Sequence, residues 1–179
     1  MALKTRAWIT AWFALCIPIM CMECTYLFLR PRTLAGGDLH WIYKPLYGPY
    51  VEIDKSYGID AYESGNGFPN AQSLLNAVET IISIHYIYLH HFVRSPAAPI
   101  FGFTCSVMTF SKTVLFLTME YYCNWCTTGH NDAGTTFWAW FMPAVPWLIL
   151  PGLIVISLGK DMVKGLKLLS SKEEVKKKH

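Results

Sequence analysis

Three ionisable residues lie in stretches otherwise built from apolar side chains: Glu23, Glu79 and Lys112. A charge in hydrocarbon costs about 2.5 kcal/mol on insertion scales and beyond about 10 kcal/mol in simulations, so such residues face protein or a wet cavity. Two carboxylates and an amine can do acid–base work. A carboxylic acid gives a proton, a carboxylate takes one or balances a cation, and a Trp face attracts that cation.

Their spacing groups them with other polar residues. Projected at 100° per residue, Asn76, Glu79, Ser83, Tyr86 and His90 fall on one stripe of a helix over Gln72–Val93. A second stripe holds Ser106, Thr109, Thr113, Phe116 and Glu120, with Lys112 at its edge. Glu23 shares a side with Cys16, Met20 and Leu27. His85 falls off its stripe and is expected to make a structural hydrogen bond. The last apolar run carries Trp138, Trp140 and Trp147 with Pro143, Pro146 and Pro151, and the prolines predict a kink. At about 1.5 Å per residue, Glu23, Glu79 and Lys112 all lie about 20–24 Å from the same membrane edge. Two readings stand. One is a buried ion-pair network that fixes helix packing. The other is a polar floor in an aromatic cavity, suited to a greasy ligand with a basic or developing cationic centre. There Glu23, Glu79 and Trp147 would be catalytic. Asn76, Ser83, Tyr86, Thr109, Lys112, Thr113, Phe116, Glu120 and Trp140 would contact the ligand.

These residues need a membrane-embedded scaffold. The chain has 179 residues, 53% hydrophobic and only 15% charged, against about 25% charged in soluble proteins. Four runs approach the roughly 20 residues that cross a bilayer: Ala7–Leu29, Gln72–Val93, Ala98–Glu120 and Thr136–Leu158. The expected fold is an all-α, four-transmembrane-helix bundle forming one domain over residues 1–179. Residues 30–70 would form a lumenal cap, with Trp41, Tyr43, Tyr47 and Tyr50 at the membrane interface. That segment contains short alternating pieces such as Tyr50–Asp54. Residues 159–179 form a basic tail.

Lys and Arg set the orientation. Lys4, Arg6, Arg94 and the seven lysines from Lys160 onward fall on one side. Arg30, Arg32, Lys44 and Lys55 fall on the other. Both termini are therefore expected in the cytosol, and Lys176 and Lys177 match a dilysine address for the endoplasmic reticulum. Beside a membrane span the basic tail reads as a cytosolic flank, not as a nucleic-acid site. Cys123 and Cys126 form a C-x-x-C near His130 and Asp132. A zinc or redox site is one reading of it; a local disulfide or two thiols is the other. The remaining four cysteines read as small apolar residues. No nucleotide loop, metal cluster or Ser/His/Asp order is present, so no cofactor is expected. The expected partners are a lipophilic small molecule and membrane lipids, and a homodimer is compatible with the sequence.

Glu79-Thr80-Ile81 and Trp147-Leu148-Ile149-Leu150-Pro151-Gly152 resemble motifs of the emopamil-binding-protein group, the EXPERA domain. Glu23, Asp54-x-x-Tyr57 and Val114-Leu115-Phe116 add to the likeness. The resemblance implies four spans in the endoplasmic reticulum membrane. It also implies one of two activities: sterol-isomerase-like acid–base chemistry, or lipid binding of the sigma-2-receptor type. In the isomerases an acid protonates an alkene and carboxylates with a Trp ring hold the carbocation. Glu23, Glu79 and Trp147 would take those places. Ile19 stands where the isomerase has a His, and Ala144 where it has an Asn. Lys112 stands where a small residue is usual.

Overall fold

The computed structural model describes residues 6–177, and the side chains of residues 172, 173, 175 and 176 are outside the description. Lys4 of the charge count, and Lys178 and His179 beyond the dilysine pair, also lie outside it. The described residues form helices and turns, with no strand among them.

Helix α1 spans Ala7–Phe28. Its one proline, Pro18, is on the exposed side. Helix α2 (His40–Ile53), a short 3₁₀ turn (Lys55–Tyr57) and α3 (Ile59–Glu63) make up the connection to α4. Helix α4 runs from Phe68 to Ile87 and continues as a wide i→i+5 turn over Tyr88–Val93. Arg94 ends it with a left-handed backbone, φ 56°. Helix α5 covers Ala98–Tyr122. The short α6 (Ala133–Thr135) leads through a second wide turn, Thr136–Phe141, into α7 (Met142–Lys177). Pro143 has no N–H to offer the carbonyl one turn back, and the wide turn ends beside it.

Three helical stretches are long and apolar enough to cross a membrane: Ala7–Phe28, Ala98–Tyr122 and Ala133–Ser171. This is compatible with a multi-pass membrane protein. The α4 run is as long, but its polar stripe keeps it below that apolar standard.

Helix α4 packs between α1 and α5, and α5 also packs on α7. Their shared core joins Ile9, Phe13, Cys16 and Met20 of α1 to Tyr86, Cys105, Ile154 and Leu158. Gly102 makes this approach possible, because a Cβ there would meet the Tyr86 ring and Leu158 at 2.9 Å. Arg6 and Asp161, 2.8 Å apart, tie the start of α1 to α7.

Two sequence expectations change. Residues 50–53 are not extended: Tyr50–Ile53 ends α2, despite Pro45 and Pro49 within that helix, and only Asp54, its cap, has extended backbone. Tyr43 and Tyr47 stand one turn apart on α2 and pack on Tyr26, the Tyr47 ring stacked at 3.9 Å. This aromatic cluster holds a helix that the prolines alone disfavour. The basic tail also differs: it is no separate segment, because α7 continues unbroken to Lys177.

Candidate functional site

The polar stripe of α4 faces inward as its spacing requires. Asn76, Glu79, Ser83, Tyr86 and His90 are all buried, while Leu74, Ile81 and Ile84 point outward. The α5 stripe behaves likewise: Ser106, Thr109, Lys112, Thr113 and Glu120 are buried and Phe116 is half-buried. The two stripes meet because α4 and α5 are neighbours. His85 lies off the stripe, exposed, with its ring edge-on to Phe101 at 4.5 Å.

Where α1, α4, α5 and α7 meet the connection, they line an open cavity of about 420 Å³. Its walls are mostly apolar and aromatic, with Met20, Tyr47, Phe116, Trp140 and Trp147 among them. Glu23, Tyr57, Gln72, Asn76, Lys112 and Thr113 supply the polar surface. Ile19 and Ala144 also line it. The two positions where the isomerase pattern has polar groups are therefore apolar wall here.

A continuous hydrogen-bonded chain runs along the polar side. Tyr57 donates its hydroxyl to Glu23 Oε1 at 2.5 Å. Asn76 Nδ2 donates to Glu23 Oε2 at 3.0 Å. The other end of the same amide, Oδ1, accepts from Lys112 Nζ. Lys112 also pairs with Glu79 Oε2 at 3.0 Å, and Thr109 donates to that oxygen at 2.8 Å. Glu79 Oε1 is buried with no donor among the described residues. The three ionisable groups placed at one depth by counting are thus joined, with Asn76 as the link.

The connection completes the site from above. Burial pushes the Tyr57 phenol well above its ordinary range, and the nearby Glu23 charge adds to this. Tyr57 therefore stays protonated and can only donate to Glu23 when that group is ionised. Burial and Glu23 push Tyr47 the same way. Asp54 is buried and accepts from the Trp140 indole at 3.1 Å, from Ser56 N at 3.0 Å and from Ser56 Oγ at 2.6 Å. The Trp140 ring is fixed by that bond against Phe116, 5.2 Å away. Trp147 instead packs edge-on to Trp12, centroids 5.3 Å apart.

Several expected contact residues lie elsewhere. Glu79 does not reach the cavity wall; it sits behind Lys112 and pairs with it. Thr109 is behind it too. Ser83 is bonded to Cys105 at 3.3 Å, and Tyr86 packs on Phe13 at 4.9 Å within the core. Glu120 is fully buried, and its carboxylate accepts from both backbone N–H groups and both hydroxyls of Thr127 and Thr128. It pins the α5–α6 loop and has no surface on the cavity. Ser83, Tyr86 and Glu120 thus make packing and loop contacts and do not line this cavity. Tyr57, Tyr47, Tyr50 and Gln72 were not among the expected contacts, yet they line the cavity. The interfacial aromatics marked the connection as special but did not say which ring turned inward.

The C-x-x-C is a disulfide, Cys123 to Cys126. Its sulfurs lie near Glu120, with potential ligand atoms within 4.8 Å of one another. Glu120 is occupied by the threonines and the cysteines by each other. Neither His130, bonded to the Glu52 carbonyl at 2.7 Å, nor Asp132, the cap of α6, belongs to that group.

No protein-family model matches the chain, and no curated protein matches it. The likeness to the emopamil-binding group thus rests on the short motifs quoted above.

Proposed function

We propose that this protein is a cofactor-independent acid–base isomerase or cyclase acting on a terpenoid or sterol-like lipid inside the bilayer. In this reading four spans cross the endoplasmic reticulum membrane with both ends cytosolic, the α1–α4 connection caps the cavity on the lumenal side, and the chain is a divergent emopamil-binding-type protein. One observation carries the reading: a carboxylate, Glu23, and an ammonium, Lys112, stand on the wall of one aromatic cavity, coupled through a single amide.

Glu23 is the group that gives or takes the proton, since among the described residues it is the one carboxylate that lines the cavity. Tyr57 and Asn76 orient its two oxygens. Trp147 and Trp140 line the same cavity and would stabilise a developing cation there, an interaction worth about 2 kcal/mol or more in a dry site. Glu79 is a positioning residue. It holds Lys112 in place, and Lys112 in turn holds Asn76.

A second reading keeps the cavity and drops the chemistry: a lipid-binding protein of the sigma-2-receptor type. The apolar side chains of Ile19 and Ala144, where the isomerase pattern has His and Asn, favour it. Exchange in deuterated water separates the two. Incubation with sterol and terpenoid alkenes should place deuterium in the recovered lipid, and Glu23→Gln should abolish that exchange. Lipids that bind tightly but never exchange would establish the binding reading instead.

A further inference from the structure

The cavity's polar side has two ends of opposite charge. At one end Glu23 already accepts a bond on each oxygen. At the other, Lys112 is buried, with 9% of its surface exposed, and that surface borders the cavity. An ammonium carries three N–H donors. Asn76 Oδ1 takes one and Glu79 Oε2 a second. A third remains, and the cavity that Lys112 borders is walled mostly by apolar side chains, Phe116, Trp147 and Met20 among them, with Gln72 and Thr113 as further polar groups. A hydrocarbon lying against that donor would strip it of water and give nothing back, whereas an oxygen acceptor would satisfy it.

We infer that Lys112 is a specificity-determining residue that selects lipids bearing an oxygen acceptor, above all a ketone carbonyl, over the corresponding hydrocarbon. The inference rests on the proposed role of this cavity as a lipid site and adds the substrate class. Carbonyl oxygen fits best because it accepts and does not donate, and what Lys112 has left to offer the cavity is a donor; the unmatched acceptor beside it, Glu79 Oε1, is not on the cavity wall. Asn76 separates the Lys112 and Glu23 ends by a single side-chain amide. The oxygen is therefore held within one short functional unit of the carbon that Glu23 faces.

The test uses the full chain in bicelles and two probes of one shape, cholestanone and cholestane, with affinity read by competition. Cholestanone should bind at least about tenfold more tightly, the strength of one hydrogen bond to a charged donor. Lys112→Arg should keep most of the preference. Lys112→Met leaves Glu79 buried and unpaired and can fail to fold, so the decisive variant is Lys112→Met with Glu79→Gln. It removes both charges. It should lose the preference for the ketone, the ratio of the two affinities falling to near one. Equal affinity of the parent for both probes would overturn the inference while leaving the cavity a lipid site. A preference that survives in the double variant would overturn it as well. Failure of both probes to bind would overturn the cavity reading, and the inference with it.

Discussion

The buried pair between Glu79 and Lys112 sets a clear energetic test. At 3.0 Å two unit charges attract by about 5.5 kcal/mol at an effective dielectric of about 20. Most of that offsets the loss of water around both groups. Breaking such a pair from one side is costly, about 3–5 kcal/mol, because the survivor is left charged and buried. Glu79→Gln should fall at the lower end, since Gln still offers Lys112 a neutral oxygen and keeps an acceptor for Thr109. Lys112→Met should fall at the upper end. It strands Glu79, whose Oε1 already lacks a donor, and it takes the partner from Asn76 Oδ1. The double variant removes both charges and should cost much less than the two together, giving a coupling on the order of 3 kcal/mol. Reversible unfolding in mixed micelles, titrated with denaturing detergent, measures all four proteins. Additivity within about 0.5 kcal/mol would show that the two groups do not form a pair, and the chain from Tyr57 to Thr109 would lose its centre.

Trp147→Leu should lower kcat roughly thirtyfold, equivalent to about 2 kcal/mol, with KM changed only a few-fold if the cation forms during reaction; an effect on KM alone would refute that role. Glu120→Ala should release the α5–α6 loop, seen as at least about tenfold faster cleavage between residues 123 and 131 by an added protease. Hydrogen bonds from Thr135 and Gly134 hold the Asp132 carboxyl below its ordinary 3.8, so its capping of α6 is fully present above that value and is lost as pH falls through the lower folded value. Amide exchange at Gly134 and Thr135 should quicken only in that acid range, and Asp132→Ala should remove the dependence. A glycosylation acceptor near Gly65 should be modified and one after Lys167 should not, as the proposed orientation requires.

The parts of the site that could be read from sequence are those fixed by regular geometry. A helix advances by a constant angle and rise, so polar residues in an apolar background stand out, and Glu23, Glu79 and Lys112 could be placed at one depth. The stripe itself, however, is wider than the cavity. Asn76 meets the cavity, whereas Ser83 and Tyr86 on the same stripe meet neighbouring helices, because an inward face on α4 has two helices beside it. Glu120 lies off the cavity for a related reason. An acid at the end of a helix before Thr127-Thr128 is within reach of loop donors, and that competes with any ligand. The connection was the least legible. Pro45 and Pro49 speak against a helix locally, and only the tertiary stacking of Tyr43 and Tyr47 on Tyr26 restores it. Which of its tyrosines turns inward depends on that packing.

The connection both walls the cavity and equips it. Tyr57 reaches down to Glu23, Asp54 fixes Trp140, and Leu46, Tyr47 and Tyr50 stand beside them as wall. Any motion that lifts this segment to admit a ligand from that side also takes the hydroxyl from Glu23 and frees the indole. Opening and disarming are then one event. A lipid would arrive at an unfinished site, and its affinity would appear only on closure, so binding strength would reside in slow departure rather than fast arrival. Weakening the hydrogen bond that Arg30 donates to Asn70 at 2.8 Å across the two ends of the connection should then speed entry and exit together.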